Sequence, residues 1–104
     1  VSVDWGYAPD YVDAMYRMLQ LEVASDYVIA SGKAHTVRQL AEIAFRHVGL
    51  DYRAHVQVRP DLLTKHIETR IGDPSKLRMD AGWGPSTSFE EMVTMMVDAE
   101  VARL

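Results

Sequence analysis

The sequence predicts a small α/β lobe of about four helices with a short mixed or mostly parallel sheet. Three observations predict it. Two capping boxes, Thr36-Val37-Arg38-Gln39 and Ser88-Phe89-Glu90-Glu91, each open a run whose apolar residues recur at helical spacing. The stretch Asp26-Tyr27-Val28-Ile29-Ala30, closed by Ser31-Gly32, is short, apolar and β-favouring, the pattern of a buried strand. A chain of 104 residues with 48% apolar content fits one small domain and no more.

In chain order, Val3-Asp4-Trp5-Gly6 is a strand-like run that leads into a helix, so the opening reads as the middle of a protein where a chain leaves a sheet. The first helix is predicted from about Pro9 to Gln20. Pro9 suits a first turn, Asp10 favours the positive end of the dipole, and Tyr11, Val12, Met15 and Leu19 share a face. The strand at 26–30 follows. The second helix starts at the Thr36 box, repeats Val37, Leu40, Ala41, Ala44 and Val48, and stops at Gly49, where a left-handed residue fits. Residues His55 to Val58 alternate as a second strand, and Glu68-Thr69-Arg70-Ile71 is a candidate third. Pro74 opens a short third helix ending near Ala81-Gly82. The fourth runs from Ser88 with Phe89, Met92, Val93, Met96, Val97, Val101 and Leu104 on one stripe.

Composition excludes several classes. A net charge of −4 with scattered Lys and Arg argues against nucleic acid as a partner. No apolar run approaches the roughly 20 residues that span a bilayer, so no membrane is expected. Zero cysteines exclude disulfides and thiolate metal sites, and the histidines show no metal spacing. A cytoplasmic protein is the expectation. A domain this size buries only about 65% of its unfolded surface, so it is marginal unless it leans on something else. Six Met residues either fill its own core or form a pliable face for a partner.

Four blocks carry a resemblance. Asp4-Trp5-Gly6-Tyr7-Ala8-Pro9-Asp10-Tyr11-Val12, Asp26 to Gly32, His35-Thr36-Val37-Arg38, and Gly72-Asp73-Pro74-Ser75-Lys76 running on to Gly82-Trp83 occur in an order that resembles the substrate-binding lobe of extended short-chain dehydrogenases/reductases, the GDP-mannose 4,6-dehydratases above all. The likeness covers nearly the whole chain and only the back end of such an enzyme. It implies that residues 1–104 are one substrate-binding lobe, a fragment of a larger NADP-dependent lyase that converts GDP-mannose to its 4-keto-6-deoxy form. The lobe would bind the sugar nucleotide, and the missing Rossmann domain of the same protein would be its partner.

The chain alone is expected to carry no catalytic residue, cofactor or metal. Its six glycines lie singly, without the spaced pair of a dinucleotide turn, and no Tyr is followed by Lys four positions on, the pair on which the resemblance places hydride chemistry. Where the resemblance places diphosphate and ribose contacts, this chain departs: Val3 stands for an Arg, and Leu63-Thr64-Lys65-His66-Ile67 stands for Arg-Pro-x-Glu-Val. Lys65 can replace the Arg as a point charge and His66 occupies the Glu position; Arg59 is a third basic candidate. All three read either as substrate contacts on the irregular 59–67 segment or as solvated surface residues. Asp4 and Asp10, at a strand-to-helix entry, read as capping groups and not as a catalytic pair. Trp83 reads as a core anchor. Two hypotheses follow: the sugar-nucleotide lobe of a dehydratase, or of a related nucleotide-sugar epimerase or reductase; and a degenerate non-catalytic structural or oligomerisation module, which Val3, Leu63 and His66 favour.

Overall fold

The computed structural model describes residues 2–62 and 69–104. Strand β1 (Ser2–Val3) leads into helix α1 (Ala8–Leu19). An extended segment returns to strand β2 (His35–Thr36), which passes directly into α2 (Val37–His47). Two 3₁₀ turns, Tyr52–Ala54 and Pro60–Leu62, precede α3 (Ser75–Ala81) and α4 (Phe89–Arg103). The predicted α/β class and the four helices are therefore present.

The helix signals act as their chemistry requires. Thr36 Oγ1 accepts from the Gln39 amide at 3.0 Å while Gln39 Oε1 accepts from the Thr36 amide at 2.7 Å. Ser88 and Glu91 close the same reciprocal pair at the start of α4. Gly49 and Gly82 take φ of 78° and 67° just beyond α2 and α3, a region that costs other residues free energy.

The sheet is smaller than predicted. β1 and β2 pair antiparallel, Ser2 with Thr36 and Val3 with His35, and a single parallel bridge adds Arg70 beside Val3. The segment 26–30 is extended but joins no ladder among the described residues. Its backbone is bound otherwise: Lys76 Nζ donates to the Asp26 carbonyl at 2.9 Å, and Asp4 takes the amides of Ser31 and Gly32. Three of its side chains pack inward, Ala30 buried and Tyr27 and Ile29 against the core, while Val28 is exposed, so the β-favouring pattern reported partial burial and not strand pairing. The predicted strand at 55–58 is likewise absent. Asp51 caps a 3₁₀ turn that consumes the amides of His55 and Val56 through the Tyr52 carbonyl, which ends any ladder there.

The core is thin. Ala14, Leu77 and Trp83 form its centre, with Tyr11, Met18, Tyr27, Ile29 and Ala81 half-buried around them. Trp83 also donates its indole N–H to the Asp10 carbonyl at 3.0 Å, so it anchors the core and ties α1 to the segment after α3. Met92 and Val93 are buried on α4 as it leans on α2. Beyond them, Met96 and Val101 line an open groove of about 450 Å³ with Leu40 and Phe45. The molecule measures 53 × 35 × 18 Å with a radius of gyration of 16.8 Å, against about 13 Å for a self-contained domain of this length. Its accessible surface is 7941 Å² for 11.8 kDa, about 2,000 Å² more than a monomer of that mass ordinarily exposes.

Candidate functional site

Everything near β1 is organised by Asp4. Its Oδ1 accepts from the Ser31 amide at 3.0 Å and from the Ser31 hydroxyl; its Oδ2 accepts from Gly32 and Gly72 amides, both at 3.1 Å. Burial pushes this carboxyl up, but the Ser31 hydroxyl and the three amides outweigh burial and hold it below its ordinary 3.8. Asp10 serves a second junction: Ser86 Oγ donates to it at 2.7 Å and the Thr87 amide at 3.0 Å, which fixes the approach to α4. The two acids thus bind different loops. Neither has the free carboxylate that a general base needs.

Between these junctions lies a cleft of about 650 Å³, a size that suits a small ligand. His35 stacks on Phe89 at 4.0 Å with an interplanar angle of 4°, and Trp5 meets Phe89 edge-on at 5.8 Å. The Trp5 indole N–H is buried with no hydrogen-bond partner among the described residues. Lys33 and Glu42 stand at the cleft, and Arg46 pairs with Glu90 at 3.4 Å across it. Three of the hydroxyls that line it are committed: Ser31 to Asp4, Ser86 to Asp10, Ser88 to the α4 cap. Ser31 and Ser86 each donate to a carboxylate that also takes a backbone amide, so these two pairs hold loops together.

Of the three predicted substrate residues, Arg59 is exposed and pairs with Asp61 at 3.4 Å through two nitrogens. So exposed a pair is worth little, and its guanidinium can exchange Asp61 for another anion. Lys65 and His66 lie outside the described residues. His47 holds Asp98 at 2.7 Å, and His55 stacks on Phe45. No group of three or more potential metal ligands occurs among the described residues. Sequence reasoning missed the aromatic cleft, because Trp5, His35 and Phe89 are far apart in the chain and meet only through β1–β2 pairing. Glu90 and Asp98 stay exposed on α4 and pair with Arg46 and His47 of α2.

A dinucleotide does not fit these residues. The direct strand-to-helix turn, β2 to α2, has no glycine, and the Gln39 amide is already bound by Thr36. Gly6, in the other strand-to-helix connection, has its open side filled by the Tyr11 ring, 2.2 Å from where a Cβ would stand, so no phosphate can lie against it.

The fold defines the class: it is that of one part of two larger solved proteins. RMD from Pseudomonas aeruginosa, solved with NADPH, superposes with a TM-score of 0.86 at 20% identity, covering 100% of this chain and 34% of that one. WbmG of Bordetella bronchiseptica, solved with NAD, gives 0.72 at 17%, covering 96% and 32%.

The chain belongs to the GDP-mannose 4,6 dehydratase family, whose profile matches residues 2–96. GDP-mannose 4,6 dehydratase 1 of Arabidopsis thaliana is 41% identical over 101 residues, covering 96% of this chain and 28% of that protein. The Drosophila melanogaster enzyme is 36% identical over 116 residues (94% and 29%), and the Homo sapiens enzyme 34% over 120 (94% and 31%). The chain therefore spans about three tenths of the length of these relatives. No helix among the described residues is long and apolar enough to cross a membrane.

Proposed function

We propose that this chain is the sugar-nucleotide-binding lobe of an NADP-dependent GDP-mannose 4,6-dehydratase, a fragment whose hydride chemistry is supplied by a dinucleotide-binding domain elsewhere in the parent. The observation that carries the reading is the family match across residues 2–96 on a chain whose described residues form no dinucleotide cradle. NADP held by that other domain would supply the hydride acceptor and donor for the sugar. The lobe binds GDP-mannose, orients it and excludes water, which lowers the entropic part of the barrier without any acid or base of its own. Lys65, His66 and Arg59 are the residues we assign to the nucleotide diphosphate and ribose. A cytoplasmic location goes with this reading.

The flat shape supports a domain partner. On α1, Val12, Met15, Tyr16 and Leu19 are all more than half exposed, at i, i+3, i+4 and i+7. A stripe of that kind, on a molecule exposing about 2,000 Å² in excess, is the face we assign to the dinucleotide-binding domain. The alternative, a structural module that has lost its ligand, is favoured by the uncharged Val3 on β1. Titration of the chain with GDP-mannose, GDP and UDP-glucose by ligand-observed NMR separates the two: GDP-mannose and GDP bind in preference to UDP-glucose if the lobe reading holds, and equal indifference to all three at millimolar concentration sinks it.

A further inference from the structure

We propose that Arg70 is a diphosphate-binding residue of the sugar-nucleotide site, acting from the face of the sheet that Val3 leaves uncharged; the inference rests on the sugar-nucleotide reading above. A diphosphate is bound best by a guanidinium, whose forked N–H groups match two phosphate oxygens at once. Among the described residues, Arg17, Arg46, Arg53, Arg59 and Arg103 each hold a carboxylate, Lys76 lies over the Tyr27 ring with its ammonium on the Asp26 carbonyl, and Arg38 and Arg78 stand on helices α2 and α3, outside the sheet.

Arg70 is placed differently. Its parallel bridge to Val3 continues the antiparallel pairing of Val3 with His35. Residues paired across neighbouring strands share a face, so His35, Val3 and Arg70 make a row across strands spaced about 4.8 Å apart. The centre of that row is a valine, and its outer member is an exposed guanidinium. The backbone that presents it is fixed two residues on. The Gly72 amide is bound by Asp4, and a Cβ at Gly72 would stand 2.3 Å from Ala30 Cβ, so strand and loop are pressed together there. Asp4, next to Val3, is already saturated by four donors and does not draw the guanidinium away from a ligand. A preorganised backbone that presents a single exposed side chain loses little entropy on closing over an anion.

The test titrates the whole chain with GDP and with guanosine by ligand-observed NMR. It uses the native sequence, Arg70→Ala, Arg70→Lys, and Arg70→Ala combined with Val3→Arg, with a thermal melt for each. Arg70→Ala is expected to weaken GDP about tenfold and leave guanosine unchanged, because only the phosphates lose a partner. Arg70→Lys falls between, and Val3→Arg restores GDP binding to within about threefold, since its guanidinium starts only about 4.8 Å away. Unchanged GDP affinity in Arg70→Ala overturns the inference, as does an equal loss for GDP and guanosine, which would mark a structural role. Failure of the native chain to bind either GDP or GDP-mannose removes the sugar-nucleotide reading itself, whereas GDP binding that ignores Arg70 removes only this assignment.

Discussion

The carboxylate of Asp4 holds Ser31, 27 residues away, twice over: by its amide at 3.0 Å and by its hydroxyl. Gly32 and Gly72 complete the set, so one side chain joins the start of the chain, the segment before β2 and the loop before α3. In a lobe this thin such a junction replaces much of what a larger core would do, because among the described residues Trp83 and Leu77 are the only large side chains that are fully buried.

Removing that carboxylate should therefore cost more than an ordinary surface change. Asp4→Ala leaves three amides and a hydroxyl without their acceptor, and a loss of about 3 kcal/mol in urea unfolding is expected. Asp4→Asn keeps one acceptor oxygen and should lose about half as much. A loss under about 0.5 kcal/mol for Asp4→Ala would show that the junction forms without it.

The same group predicts a dependence on acidity. Its folded value lies below the unfolded 3.8, so its contribution is fully present above about pH 4 and is lost as pH falls through the lower folded value. Asp51 and Asp73, also lowered, act in the same sense. The unfolding midpoint of the native chain should fall below pH 4 more steeply than that of Asp4→Asn. Parallel curves for the two would assign the acid sensitivity elsewhere.

Gly72→Ala tests packing at the other side of the junction. The added methyl would stand 2.3 Å from Ala30 Cβ and 3.2 Å from Val28 Cγ1, and Ala30 has no side-chain torsion with which to retreat. A destabilisation of about 2 to 3 kcal/mol is expected. Gly6→Ala, whose methyl would meet the far end of the Tyr11 side chain, should cost less; the reverse order in a thermal melt would contradict the packing.

The helices were legible because their signals are local. A box such as Thr36 with Gln39, or a left-handed glycine such as Gly82, is satisfied within one turn and needs nothing from the rest of the chain. The sheet was not. Whether Val28 and Ile29 join a ladder depends on who takes the backbone of Asp26 and Ser31, and the takers, Lys76 and Asp4, lie far off in sequence. The candidate site divides the same way. Arg59 is visible as a cation beside a proline, but its Asp61 partner makes it an exposed ion pair, and nothing in the sequence announces that His35, Val3 and Arg70 would stand in a row. The resemblance ran ahead of the residues here, since family membership follows from the ordered blocks while ligand contacts depend on tertiary placement.

Capping and cross-helix charge should separate cleanly in measurement. Thr36→Ala removes the acceptor for the Gln39 amide and should cost about 1 kcal/mol. Arg46→Ala breaks a 3.4 Å pair with Glu90 whose side chains are both well exposed, and should cost under about 0.5 kcal/mol. If the two losses proved equal, the α2 terminus would not be the cooperative unit it appears in the fold.

The α1 stripe yields the last prediction. Leu19 is 82% exposed, and Val12, Met15 and Tyr16 continue the same face without covering any of the core. Replacing Met15 and Leu19 together with Lys removes apolar surface from water and adds no buried charge, so the lobe's own stability should change by less than about 0.5 kcal/mol and its solubility should rise. In the full-length parent the same pair would put two ammonium groups into the interface with the dinucleotide-binding domain, where desolvation leaves them uncompensated. Limited proteolysis should then cut the double variant at the domain junction well before the native parent, while GDP binding to the isolated lobe stays as it was. Equal protease resistance in the two parents would mean that α1 faces solvent in the assembled enzyme and that another surface supplies the excess area.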